Sequence, residues 1–147
     1  MNEYQYDDCL ALLPKEMIGR SRKNGRILCT FGDIVYKILK GLGFKPQSFF
    51  GICEYFEIGS GWGGFSLGTF FICSKTSNNI ARAHELGHMI QNAKIGDPEM
   101  VTFTILSAIR YWKRKITGDK PPYDSWWFEG QATEIGLKYL SLHRVDT

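Results

Sequence analysis

The pentapeptide His84-Glu85-Leu86-Gly87-His88 constrains this chain more than any other feature of its sequence. Residues four apart lie on the same face of an α-helix, so both histidines can present imidazole nitrogens to one metal ion, with Glu85 flanking it. The pattern H-E-x-x-H is typical of a zinc site at which the glutamate acts as general base. Histidines on a buried helix are often ordinary core residues, but two at this spacing with a glutamate between them favour a metal site.

The flanking residues predict one helix from Asn79 to Ile95. Ser77 is a suitable N-cap, no proline interrupts the segment, and Gly96 stands where helices commonly end. The side away from the histidines is also apolar, so we expect this helix to be buried on nearly all sides.

A catalytic zinc site usually takes three protein ligands and keeps its fourth position for water. A third histidine six residues after His88 is excluded, because that position is Lys94. The only other histidine, His143, lies near the C-terminus. The third ligand is therefore expected to be a carboxylate.

The segment after Pro121-Pro122 predicts a second helix, from Ser125 as its N-cap to about Leu142. Glu129 falls within about 60° of the apolar stripe of this helix, whereas Glu134 lies about 140° away on a polar side. An unpaired carboxylate in an apolar stripe is costly, and metal coordination relieves that cost. Glu129 is thus the predicted third ligand and Glu134 a solvent residue.

Small residues suggest how the two helices meet. Ala132 and Gly136 lie beside Glu129, and Gly87 and Ala81 lie on the histidine helix. Small side chains let helix backbones approach closely, so we expect these two helices to pack against each other.

The sequence His84-Glu-Leu-Gly-His88, followed by Trp127-Phe128-Glu129-Gly130-Gln131-Ala132, resembles the Glu-zincin (gluzincin) metallopeptidases over roughly residues 65–140. The resemblance implies one Zn²⁺ held by His84, His88 and Glu129, with Glu85 as the general base. It implies a zincin-like α+β fold, in which a short antiparallel sheet or hairpin packs on the buried HExxH helix and on a C-terminal helix bearing the glutamate.

Two features depart from the family. The interval between His88 and Glu129 is longer than in its best-known members. Thermolysin-like members also carry an aspartate four residues after the glutamate ligand, where this chain has Thr133. A threonine hydroxyl can still accept a hydrogen bond from an imidazole N–H, but it raises the basicity of the ligand less than a carboxylate does.

Residues Gly51–Ile58 and Phe65–Ser74 surround a glycine-rich tip and predict a hairpin. The resemblance assigns a substrate-binding edge strand to the segment just after that tip; an ordinary inner strand is the alternative. That segment comprises Gly64, Phe65, Ser66, Leu67, Gly68 and Thr69. Tyr123 is the candidate oxyanion donor, with Tyr111, Arg110 and His143 as unranked alternatives.

These features predict a zinc-dependent metallohydrolase, in particular a peptidase acting on peptide or protein substrates, with Glu85 accepting the proton of the attacking water. The alternative is a non-catalytic or regulatory metal-binding protein that contacts a partner or a membrane surface through the helix at residues 98–116. There Phe103 and Leu106 lie among basic residues, although packing against the N-terminal segment is the favoured explanation for both. The same helix carries a separate apolar stripe, formed by Val101, Ile105, Ala108, Ile109, Trp112 and Ile116.

Length and composition add broader expectations. A chain of 147 residues with 44% hydrophobic content favours one compact domain, residues 1–147. The net charge of +3 gives no strong nucleic-acid signal, and the basic Arg20–Arg26 segment is predicted as a solvated loop. The acidic N-terminus is unlike a signal peptide and no apolar run could span a bilayer, so we expect a cytoplasmic protein.

The four cysteines are widely spaced, and reduced, buried thiols are the expectation. One pair, Cys53 and Cys73, could face each other across the predicted hairpin.

Overall fold

The computed structural model describes residues 3–117 and 127–144, which form helices around a four-stranded sheet. The helices are α1 (Glu3–Ala11), α2 (Pro14–Asn24), α3 (Arg26–Gly41), α4 (Asn79–Ile95), α5 (Asp97–Thr117) and α6 (Trp127–His143). The strands are β1 (Gln47–Phe49), β2 (Cys53–Glu57), β3 (Gly64–Ser66) and β4 (Phe70–Cys73). The predicted α+β class is confirmed at this level.

The predicted loop at Arg20–Arg26 is wrong, because α2 continues to Asn24 and only Gly25 separates it from α3. A Cβ on Gly25 would overlap the side chain of Asn92 on α4, so this junction needs glycine. Beyond it, the backbone N–H groups of Ile27 and Leu28 donate to the carboxylate of Asp97, at 2.7 and 3.2 Å. This carboxylate from a distant part of the chain satisfies free donors of the first turn of α3.

The sheet has the order β1-β2-β4-β3, and its central pair is parallel. The predicted hairpin between Gly51–Ile58 and Phe65–Ser74 is therefore wrong. The second segment is broken by a turn at Leu67-Gly68, where Gly68 has a φ of 89° and the N–H of Leu67 bonds to the carbonyl of Phe70. This turn makes β3 and β4 antiparallel neighbours and leaves β4 running parallel to β2.

The parallel register separates the two cysteines that a hairpin would have paired. Cys73 lies opposite Glu57, whereas Cys53 lies at the other end of β2. Four strand residues span about 13 Å, about twice the longest Cα separation that a disulfide allows. All four cysteines are free and buried.

Two apolar clusters cover the two faces of the sheet. On one face, Phe56, Phe70 and Ile72 pack with Leu39 and Tyr36 of α3. On the other face, residues of β2 and β4 pack with α4 and α6, and this larger cluster includes Tyr55, Phe71, Leu86, Met89, Ile90, Ile135 and Tyr139. All residues from Ala83 to Ala93 are buried, so the prediction that the histidine helix is buried nearly all round is confirmed.

Helix α5 begins and ends close to the predicted positions, but most of the side chains described in its apolar stripe are exposed. Ile105, Ile109, Trp112 and Ile116 are all exposed, and so is Leu106 on the basic side. The side chain of Phe103 lies outside the described part of the chain. Among residues 3–117 and 127–144, no helix is both long enough and apolar enough to cross a bilayer.

Candidate metal centre

Helix α4 presents the two histidines from a fixed frame. Its N-cap is Asn78, one residue after the predicted Ser77, and the Asn78 side chain accepts a hydrogen bond from the N–H of Ala81 at 2.9 Å. The helix ends at Gly96, which has a φ of 79°. Within this helix, His84, Glu85 and His88 are only 8%, 6% and 9% exposed.

Helix α6 crosses α4 in backbone contact at two glycines. A Cβ on Gly87 would collide with the carbonyl oxygen of Ala132, and a Cβ on Gly136 would collide with that of Ala83. The predicted close approach is thus confirmed. It brings Glu129, which is fully buried, directly to the two histidines, whereas Glu134 is exposed and pairs with Lys138 at 3.1 Å.

Three side-chain atoms from the two helices converge on one point. Glu129 Oε2 lies 2.7 Å from His84 Nε2 and 3.1 Å from His88 Nε2, and the two imidazole nitrogens are 3.1 Å apart. Tetrahedral zinc with bonds of about 2.0–2.1 Å separates its ligand atoms by about 3.3 Å, so the group needs only a slight expansion to fit. His84, His88 and Glu129 could therefore hold a metal ion.

The other ring nitrogen of each histidine has a partner that fixes its tautomer. His84 Nδ1 lies 2.7 Å from Thr133 Oγ1, which itself donates to the Glu129 carbonyl at 3.4 Å. Thr133 therefore accepts from an Nδ1–H, and this leaves the Nε2 lone pair of His84 for a metal. Thr133 stands where the sequence predicted an orienting hydroxyl.

Gln91 fixes the tautomer of His88 in the same way, and the sequence analysis did not identify this role of Gln91. Its Oε1 lies 2.8 Å from His88 Nδ1, while its Nε2 donates to the Phe128 carbonyl and to Gln131 Oε1 on α6, at 3.0 and 3.1 Å. Gln91 is nearly fully buried. Its position three residues after His88 was the available signal, because residues at this spacing are neighbours on a helix.

The charges of the group depend on one another. Burial disfavours ionisation of Glu129, but hydrogen bonding with His84 and His88 outweighs burial and lowers the pKa of Glu129 to about 2. Burial also disfavours the charged imidazole of His88, yet hydrogen bonding to Glu129 and the nearby charge of Glu85 raise its pKa. The centre thus holds a carboxylate that stays ionised beside a histidine that binds protons readily.

Glu85 differs from Glu129 in its surroundings. Its Oε2 is buried without a hydrogen-bond partner in the part of the chain that the structure describes. Burial raises the pKa of Glu85, although His88 and His84 act in the opposite direction. A buried carboxylate with a raised pKa beside a metal-binding group is suited to accepting and returning a proton.

The predicted substrate segment is only partly a strand. Gly64–Ser66 form β3 at the edge of the sheet, whereas Leu67, Gly68 and Thr69 form the turn that follows. A Cβ on Gly64 would lie 3.3 Å from Glu85 Cγ, so this edge passes beside the proposed base.

The oxyanion donor stays a prediction. His143 Nε2 is bonded to the carbonyl of Leu10 at 2.6 Å, which gives it a structural role away from the centre. Tyr123 lies outside the described residues, and Arg110 and Tyr111 lie on α5.

The chain matches no protein-family model, no curated protein and no solved structure. The metal-binding group is thus defined by its sequence pattern and its geometry alone.

Proposed function

We propose that this protein is a zinc-dependent metallopeptidase of the Glu-zincin type. The observation that carries the proposal is the convergence of His84, His88 and Glu129 within 3.1 Å of one another. Beside the histidines on α4, a buried carboxylate oxygen of Glu85 has no hydrogen-bond partner among the described residues. Buried carboxylates without partners are costly, and a catalytic role explains why this one is kept.

Each residue has a defined part in the proposed reaction. His84, His88 and Glu129 bind the zinc, which when bound lowers the pKa of a coordinated water and polarises the substrate carbonyl. Glu85 accepts the proton of the attacking water and then donates it to the leaving amine. Thr133 and Gln91 hold the two imidazole rings in the tautomer that leaves each Nε2 free to bind the metal.

Peptide substrates are favoured by the position of β3. An edge strand has unpaired backbone N–H and C=O groups, to which an extended peptide can add as a further strand. Since β3 passes beside Glu85, a peptide paired with it would bring an amide carbonyl near the proposed base.

The decisive experiment combines metal analysis with a matched pair of variants, Glu85→Gln and Glu134→Gln. Both glutamates are outside the ligand set, but Glu134 is exposed on α6. We expect one zinc per chain in wild type and in both variants. In a peptide-library digest, Glu85→Gln should lose about 10²–10⁴-fold in rate, whereas Glu134→Gln should match wild type. Equal cleavage by the two variants would reject Glu85 as the base.

The exposed stripe on α5 supports a second candidate, a non-catalytic metal-binding protein that uses residues 98–116 to contact a partner. A structural zinc usually has four protein ligands, and the group at the centre offers three in the described residues, which favours catalysis. Stoichiometric zinc with no cleavage of any library peptide would instead support this second candidate.

A further inference from the structure

Helix α3 carries an exposed apolar ridge that no described part of the chain covers. Its side chains are each between 54% and 70% exposed, and they follow one another at intervals of four, three, four and four residues. On a helix this spacing gives a straight line about 22 Å long. The ridge consists of Ile27, Phe31, Ile34 and Ile38 of α3 and of Leu42, the C-cap of this helix.

Positive charge is concentrated around the same helix. Residues 22–45 contain six lysines and arginines and one acid, Asp33, a net charge of +5 compared with +3 for the whole chain. The remainder of the chain is therefore net negative. Asp33 is already neutralised by Arg22, whose guanidinium binds both carboxylate oxygens at 2.8 and 3.0 Å.

The remaining cations are exposed and available. Within the described residues, the ion pairs do not include Lys23, Arg26, Lys37, Lys40 or Lys45. Lys40 Nζ lies 5.7 Å from the centroid of the Tyr36 ring.

Two of these cations, Lys37 and Arg26, flank the ridge on one side. At 100° per residue, Lys37 and Arg26 fall about 100–120° from the centre of the ridge, on the side away from the sheet. On the opposite side, Leu28 and Val35 pack against the core of the protein. The helix can therefore place its apolar ridge against a surface while the charged ends of the lysine and arginine side chains remain at the edge of the contact.

We propose that α3 binds the surface of an anionic lipid bilayer, with the ridge at the boundary between headgroups and acyl chains and the cations at the level of the lipid phosphates. An apolar face with basic residues beside it is the pattern of helices that lie in a membrane interface. A second copy of the chain would bring like charges together, which disfavours self-association through this face. The proposal is independent of the metal centre.

The test is co-sedimentation of the full chain with vesicles of phosphatidylcholine, alone or mixed with phosphatidylglycerol. We expect binding to the mixed vesicles, weaker binding at higher salt, and little binding to phosphatidylcholine alone. Arg26→Gln/Lys37→Gln should weaken binding about fivefold per cation, and Ile34→Ser/Ile38→Ser should also weaken it.

Matched controls remove equal charge and equal apolar surface elsewhere. Lys75→Gln/Lys138→Gln and Leu137→Ser/Leu142→Ser alter exposed residues away from α3, and both should bind within about twofold of wild type. Circular dichroism verifies that each variant is folded. Equal binding to both vesicle types, or equal loss in the control variants, would overturn the proposal. So would light scattering that shows a dimer dissociated by Ile34→Ser/Ile38→Ser, with no vesicle binding by wild type.

Discussion

Thr133 is the hydrogen-bond acceptor for His84. A stronger acceptor at this position would make His84 a better metal ligand. The hydroxyl oxygen of Thr133 lies 2.7 Å from His84 Nδ1 and is neutral, so it orients the ring without adding charge to it. Removing such a partner typically costs 10–100-fold in metal affinity, and we expect Thr133→Val to weaken zinc binding by about this factor. Thr133→Asp should bind zinc more tightly than Thr133→Val.

Zinc affinity is measured by competition with a chromophoric chelator. Glu134→Ala is the matched control, because it changes the next residue on α6 but its side chain points to solvent. If Thr133→Val binds zinc as wild type does, the hydroxyl does not support the ligand.

The thiols allow a second test on single residues. Cys9, Cys29, Cys53 and Cys73 are buried, and burial raises the pKa of each, that of Cys29 to about 11. Thiolates are the reactive form, so native protein should react with almost no Ellman reagent at mild pH. The unfolded protein should release four equivalents. Two equivalents in the unfolded state would reveal a disulfide, contrary to the separation of Cys53 and Cys73.

The sequence predicted the positions of single residues wherever helix periodicity applied. His84, His88 and Glu129 were predicted because a 100° step places each on an identifiable face. Asp97 begins its own helix, α5, yet its carboxylate binds the start of α3. A contact between positions about seventy residues apart has no local signal, so sequence periodicity could not reveal it.

At the scale of elements, the crossing of α4 and α6 depends on two glycines. Gly87→Ala or Gly136→Ala would place a methyl group against the facing backbone carbonyl, which cannot yield without separating the helices. We expect each variant to lose about 2–3 kcal/mol or more of unfolding free energy, and to bind zinc more weakly because Glu129 moves away from the histidines.

Chemical denaturation measures the loss, and Gly19→Ala is the control. Gly19 lies inside α2 with open space around the position of a Cβ, so alanine should stabilise the protein by about 0.5–1 kcal/mol. An unchanged unfolding midpoint in Gly87→Ala would show that the helices can separate without cost.

The predictions that the structure contradicts also concern secondary-structure elements. The apolar run at Phe65–Ser74 predicted one strand, but a turn at Gly68 divides it into β3 and β4. The pairing of β4 with β2 depends on tertiary packing, so the local sequence could not reveal it. The basic Arg20–Arg26 segment was predicted as a loop from its charge and its Asn-Gly pair, whereas contacts of Gly25 with α4 allow two helices to meet there.

At the scale of the whole molecule, a metal at this centre would join two helices of the larger apolar cluster. Helix α4 packs on the sheet and on α6, and the ligands come from both helices. A ligand that binds only the folded state stabilises it, and zinc at 100 times its Kd would add about 2.7 kcal/mol. Removal of zinc should therefore lower the unfolding temperature of the entire chain.

The pH dependence of that stabilisation follows from His88. In the metal-free protein its pKa is raised, because bonding to Glu129 outweighs the burial that disfavours the charged ring. This contribution to stability is fully present below pH ~6.5 and is lost as the pH rises through the raised value. Zinc needs the neutral ring, so its contribution grows over the same interval. With chelator present, the unfolding temperature should fall as the pH rises through that interval, and the increment added by zinc should increase. Glu129→Gln should weaken the fall seen with chelator, because the hydrogen bond that raises the pKa of His88 is lost while the charge of Glu85 remains. An increment independent of pH would contradict His88 as a ligand.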